Sequence, residues 1–222
     1  MFVILFFITI VLAILNWLAA IKDWKILDYI TKPATMVALI AWMVFEVHVS
    51  GPLVLFTLGF FFSMIGDICL MLPREQFIGG LVAFLLGHVC YIVGFNFQAP
   101  PINVVTLFMV AGVVLVAWAV IRPLRAGLLA KGQKPLLQPV QIYAGVISLM
   151  LLSALVTLER SDWDTTAAIL ASLGAASFFL SDTLLAWNRF VTPISQASLK
   201  VRVTYHLGQI LIALGAAVQF MK

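Results

Sequence analysis

Two aspartates stand where an ionised side chain is costly. Asp67 lies in the run Phe60-Phe61-Phe62-Ser63-Met64-Ile65-Gly66-Asp67-Ile68-Cys69-Leu70, and Asp182 in Phe178-Phe179-Leu180-Ser181-Asp182-Thr183-Leu184-Leu185. A carboxylate inside such a run is unfavourable against lipid, so both are expected to face the interior of a helix bundle or a wet cavity. Two carboxylates in unequal surroundings can divide acid–base work: the more desolvated one keeps its proton near neutral pH while its neighbour stays ionised. Such a pair suits acid-catalysed hydrolysis, and it also suits a proton relay in a transporter. A single buried Asp could equally be a structural hydrogen-bond acceptor; two at one depth favour function.

The elements that must hold these acids are membrane spans. The 222 residues are 64% hydrophobic and 10% charged, with a mean hydropathy of +1.14, against roughly 45–50% apolar and 25% charged in soluble domains. A soluble fold is excluded. The expected fold class is all-α, a polytopic bundle of eight transmembrane helices over about 2–21, 33–49, 52–72, 77–97, 102–121, 139–158, 165–187 and 202–221, forming a single transmembrane domain. Lys32-Pro33, Gly51-Pro52, Pro73, Pro100-Pro101 and Gln138-Pro139 punctuate the runs. The first run lacks a basic segment ahead of it and is expected to be a retained helix, not a cleaved leader.

Eight spans put Lys22, Lys25, Lys32, Arg74, Arg122, Arg125, Lys131, Lys134, Arg189, Lys200 and Arg202 on one side, and Arg160 and Lys222 on the other. By the positive-inside rule the basic side is cytoplasmic, so both termini are expected on the non-cytoplasmic side of an integral membrane protein, the plasma (inner) membrane if the source is bacterial. The net charge of +4 is scattered over loops, which argues against nucleic acid. Each Asp falls five residues before the basic end of its span, about 7–8 Å deep at 1.5 Å per residue.

Other polar residues fall in the same half of the bundle. Lys32 begins span two, Gln141 and Tyr143 lie in the first turns of span six, and Tyr205, His206 and Gln209 lie early in span eight. Tyr205 and Gln209 share a face with Ile212 and Ala216. His88 and Tyr91, three apart on span four, stand beside Gly80, Gly87 and Gly94, whose heptad spacing permits close helix packing. Glu46 and His48 read as ordinary helix-end residues. Asp182 shares a face with Ala171, Gly174, Ala175 and Phe178, and Asp67 with Gly59 and Ser63, the composition of helix contacts in lipid. Aligning Asp67 on Asp182, an offset of 115 residues, pairs span three with seven and brings His88 near His206, which suggests a parallel four-plus-four repeat.

Together, Phe62-Ser63-x-x-Gly66-Asp67-x-x-Leu70-Met71, Gly87-His88-x-x-Tyr91, Tyr143, Ser181-Asp182 and Tyr205-x-x-x-Gln209 resemble the YhhN-like lysoplasmalogenase family across nearly the whole chain. The resemblance implies an eight-helix membrane protein, some of whose members hydrolyse the vinyl ether of lysoplasmalogens to a fatty aldehyde and a glycerophospho-alcohol. That reaction needs an acid, an anion and a water, because protonation of the β-carbon gives an oxocarbenium ion, as in glycoside hydrolysis. Asp67 and Asp182 are the expected catalytic pair. His88, Tyr91, Tyr143, Tyr205 and Gln209 are expected around the water or the glycerol hydroxyl, and Lys32 at the phosphate as a point charge. The expected partners are a lysophospholipid substrate and membrane lipid.

Three alternatives remain at this stage. A proton-coupled transporter of small solutes could use the same acids, although the polar residues crowd one half of the bundle. A zinc hydrolase lacks an HxxxH pair, and no metal or cofactor is expected. A serine nucleophile lacks a GxSxG elbow. Cys69 and Cys90 form no metal-ligand spacing.

Overall fold

The computed structural model describes residues 4–72 and 76–221. Eight α-helices follow in order: α1 (Ile4–Lys22), α2 (Lys25–Trp42), α3 (Leu53–Met71), α4 (Phe77–Phe95), α5 (Val104–Ala130), α6 (Leu137–Val156), α7 (Thr165–Phe190) and α8 (Ala197–Phe220), with no strand among the described residues. Each helix, with its short flanking turns, is long and apolar enough to cross a bilayer, and a helix satisfies its backbone internally, as hydrocarbon demands. The protein is an all-α, multi-pass membrane bundle. Arg74 and Lys222, counted above for orientation, lie outside the described residues.

Several helices outrun the apolar runs that announce them. α2 begins at Lys25 and not at Pro33, so Lys32 is its eighth residue and Pro33 sits inside it. The proline removes one backbone donor, and the Thr31 and Thr35 hydroxyls bond the Leu27 and Thr31 carbonyls along the same stretch. A π-helical turn, Met43–Val47, then leads to His48 at a left-handed φ of 60°. Glu46 in that turn is more than a helix-end residue: its Oε1 accepts the Leu5 N–H at 3.2 Å, giving α1 an acceptor for one of its unpaired first-turn donors.

α7 continues through Trp187-Asn188-Arg189, where no proline or glycine interrupts it, and closes as the Trp187 carbonyl accepts the Val191 and Thr192 N–H groups. Asp67 therefore lies four residues before the end of α3 and Asp182 eight before the end of α7, about 6 and 12 Å at the helical rise. Measured from their helix ends, the acids are less level than their runs suggest.

Two tight helix pairs position the polar groups. Between α3 and α4, a Cβ on Gly59 would lie 2.1 Å from the Tyr91 ring, and one on Gly87 would lie 3.1 Å from both the Gly59 carbonyl and Ser63 Oγ. Between α7 and α8, a Cβ on Gly174 would lie 2.7 Å from the Ile212 nitrogen, and one on Gly215 2.8 Å from the Ala171 nitrogen. Such backbone approach is how helices gain dispersion contact in lipid, where no hydrophobic force drives them together. α5 is the loosest helix, with only Thr106, Val113, Leu124 and Leu128 buried.

Candidate functional site

Asp67 sits in a sealed polar nest. It is 1% exposed, and Lys32 from α2 approaches its Oδ1 at 2.7 Å. The ammonium also stands 5.6 Å from the centre of the Tyr205 ring. As a unit the pair is neutral whether the shared proton rests on nitrogen or oxygen. Tyr205 from α8 lies within electrostatic range of both Asp67 and Gln209, yet its hydroxyl, Asp67 Oδ2, Ser63 Oγ and Gln209 Nε2 all lack a hydrogen bond of good geometry. Tyr91 closes this nest by donating to Gln209 Oε1 at 2.7 Å. Tyr205, Gln209, Ile212 and Ala216 are all buried, so the face read from α8 does point inward.

Asp182 belongs to a second, more open cluster. The Tyr143 hydroxyl of α6 donates to Asp182 Oδ2. His88 Nε2 of α4 lies 2.9 Å from the same hydroxyl and 3.5 Å from Oδ2. A phenol has one proton; with it committed to Asp182, His88 must give its Nε2 proton to Tyr143. His88, Tyr143 and Asp182 thus form a directed hydrogen-bond chain that ends on the carboxyl group.

Aromatic rings divide the two clusters. The Phe178 ring centre lies 4.7 Å from that of His88, 5.3 Å from Tyr205 and 6.4 Å from Tyr91. Phe84 lies against Gly66, the neighbour of Asp67, and packs edge-on to Phe178 and Tyr205. On the Asp182 side of this wall runs a slender cavity of about 70 Å³ bounded by α3 to α7, with Leu81, Phe84, Val120, Leu124, Ile147 and Phe179 among its apolar walls. That volume suits about two waters at roughly 30 Å³ each. Of the residues singled out from sequence, Asp182 and Tyr143 line the cavity. His88 backs Tyr143, while Lys32, Asp67, Tyr91, Tyr205 and Gln209 lie around the sealed nest.

The sequence reading passed over several contributors. Arg189, counted only for topology, lines the same cavity and stacks on Phe77 at 4.3 Å; its signal was the seven-residue step from Asp182, which keeps one helical face. Asp28 takes two bonds from Arg202, Nε to Oδ1 at 2.8 Å and Nη2 to Oδ2 at 2.5 Å, and one from Asn16 at 2.9 Å. Trp17 donates to His206 Nδ1 at 3.1 Å. These bonds tie α1, α2 and α8 together. Among the described residues no three His, Cys, Asp or Glu side chains gather as a metal-binding group.

The neighbours of the two acids repeat after four helices. Asp67 on α3 meets Lys32 from α2 and faces Tyr205 from α8; Asp182 on α7 meets Tyr143 from α6 and His88 from α4. Shifting each helix number by four converts one set into the other.

Residues 27–216 match the YhhN family. Lysoplasmalogenase TMEM86B of Homo sapiens is 29% identical over 154 residues, covering 69% of this chain and 59% of the human protein. The Sus scrofa protein of the same name is 30% identical over 155 residues, covering 70% and 60%, and lysoplasmalogenase TMEM86A of Homo sapiens is 29% identical over 161 residues, covering 71% and 63%. The chain thus spans about three fifths of the length of these curated relatives. No solved structure matches it.

Proposed function

This chain belongs to the YhhN family, and on that premise we propose that it hydrolyses the vinyl ether bond of lysoplasmalogens, releasing a fatty aldehyde and a glycerophospho-alcohol. The observation that carries the reading is Asp182, a carboxyl group on the wall of an otherwise largely apolar cavity with a hydrogen-bonded Tyr143 and His88 behind it. A lysolipid keeps its phosphate at the interface and its chain in hydrocarbon, so its vinyl ether falls just below the headgroups, in the half of the bundle where Asp182 stands.

The chemistry follows from the hydrogen-bond arrangement. Tyr143 donates to Oδ2, so Oδ1 is the oxygen assigned the reactive proton. Protonated Asp182 gives it to the vinyl β-carbon; the double-bond electrons form the new C–H bond, and the positive charge spreads over the α-carbon and the ether oxygen. The carboxylate left behind stabilises that oxocarbenium ion, the role an acidic partner plays in glycoside hydrolysis. Water adds to the α-carbon and returns its surplus proton to Asp182, yielding a hemiacetal. Collapse breaks the bond from that carbon to the glycerol oxygen, which takes a proton from Asp182 as the hemiacetal hydroxyl gives one back through the cluster. One water is consumed and Asp182 ends protonated. The Lys32–Asp67 pair acts from behind Phe84, fixing α2, α3 and the ring of Tyr205.

The test is aldehyde release from a lysoplasmalogen by the purified protein in detergent, beside Asp182→Asn. General acid catalysis contributes about 10²–10⁴-fold, so the variant should keep its thermal midpoint and lose at least a hundredfold in kcat. Absence of aldehyde from folded wild type, across lysoplasmalogens of different headgroup, overturns the reading.

A further inference from the structure

The geometry points to Arg189 as the residue that recognises the substrate's phosphate; we propose that it forms an anion-binding subsite at the basic end of the cavity that Asp182 lines. This rests on the hydrolase reading for its substrate, and on the structure for its placement. Lys32, the obvious cation by sequence, contacts Asp67 at 2.7 Å and does not line the cavity. Arg189 does line it, together with Asp182. Seven residues separate the two on α7, which keeps them on one face and sets them about 10 Å apart along the axis. In a lysoplasmalogen seven bonds separate the vinyl β-carbon from phosphorus, about 9 Å when extended with bonds near 1.5 Å. A molecule with its β-carbon at Asp182 therefore lays its phosphate at Arg189.

The local packing prepares the guanidinium for this. Its face is held by Phe77 at 4.3 Å and Phe190 at 5.6 Å, and Phe190 is itself buried. Stacking fixes the plane, so little ordering remains when the edge meets an anion. A guanidinium carries five N–H donors in a planar fork, enough to grip two phosphate oxygens alongside its protein partners. The Lys131 ammonium, bonded to the Arg189 carbonyl at 2.8 Å, adds a second positive charge at the same helix end. α4 and α5 make few close backbone approaches, and the proposal takes the alkenyl chain out to lipid between them.

The test uses two uncleavable saturated ethers, a 1-alkyl lysophospholipid and the matching 1-alkylglycerol without phosphate, titrated against the purified full chain by thermophoresis. A charge-assisted hydrogen bond contributes enough for roughly a ten- to hundredfold change in affinity. Wild type should prefer the phosphate-bearing ether by at least tenfold. Arg189→Gln should erase that preference without weakening 1-alkylglycerol binding, and Lys200→Gln, an exposed charge at the same end, should leave it intact. Arg189→Lys keeps the charge and loses the fork; it should retain part of the preference, and it carries the test if the glutamine variant fails to fold. In the aldehyde assay Arg189→Gln should raise KM with little change in kcat. A preference that survives Arg189→Gln, or an equal loss for both ligands, overturns the proposal. If wild type releases no aldehyde yet the preference vanishes in Arg189→Gln, the hydrolase reading fails and the phosphate subsite stands.

Discussion

Replacing Lys32 by Met separates a structural from a chemical role for the buried pair. The substitution strands Asp67, 1% exposed, without the ammonium at 2.7 Å. Removing one member of a buried ion pair costs about 3–5 kcal/mol, and a chain of this size shifts its midpoint by roughly 2–4 °C per kcal/mol. Lys32→Met should therefore lower the thermal midpoint in detergent by about 6–20 °C, and Asp67→Asn should do similarly. The double variant Lys32→Met/Asp67→Leu removes the pair together with its desolvation penalty, which is often neutral or stabilising. It should recover most of the midpoint. Because the proton transfers are assigned to Asp182, it should also recover most of the aldehyde-releasing activity. The readouts are tryptophan fluorescence against temperature and initial rates at saturating substrate. A double variant as unstable as either single refutes the coupling; one that is stable and inactive refutes the division of labour and returns Asp67 to the reaction.

Other outcomes follow from single contacts. Tyr143→Phe removes the bridge between His88 and Asp182 and should lower kcat by about ten- to a hundredfold with KM unchanged; His88 lies 3.5 Å from Asp182, close enough to restore part of the relay directly, so kcat within twofold of wild type would refute the triad. Gly174→Val puts atoms where a Cβ already meets backbone at 2.7 Å and should abolish the folded peak in size-exclusion chromatography, whereas Gly145→Ala, with nothing within 4 Å, should raise stability by about 0.5–1 kcal/mol. At the opposite end of the bundle, the Arg160 guanidinium at 2.7 Å holds the Asp162 carboxyl below its ordinary value of 3.8. The folded acid binds its proton less readily than the unfolded one, so this stabilisation is present above about pH 4 and fades as pH falls through the folded value. Asp162→Asn should flatten thermal stability across that acid range.

The fold was legible because hydrocarbon leaves one option. Apolar runs of about 20 residues and basic charges at alternate ends dictate eight helices, and Gly59, Gly87, Gly174 and Gly215 mark where they touch backbone to backbone. Boundaries were less legible where polar residues stay helical. Lys25–Thr31 reads as a loop by composition, yet Asp28 is held there by Asn16 and Arg202, and tertiary bonds of that kind leave no mark on hydropathy. Asp67 and Asp182 could be found from depth alone. Their separation could not, because Phe84 and Phe178 look like any core phenylalanine until their rings are seen to wall off one acid from the cavity of the other.

The two acids differ in how tightly the helices around them close. Each stands between a polar residue of the preceding helix and another from across the bundle, Lys32 with Tyr205 and Tyr143 with His88. Around Asp67 the seam between α8 and α1 is drawn shut by Trp17 with His206, and the adjoining α2–α8 junction by Asp28 with Arg202. The corresponding pair, α4 and α5, makes few close backbone approaches, and at the basic end of α5 a Cβ on Gly127 would lie 2.1 Å from the Phe190 carbonyl. A closed seam turns one carboxylate into a sealed, neutralised strut. A looser seam leaves the other on the wall of a cavity of about 70 Å³, and in the proposed reaction that is the carboxyl group that meets the substrate.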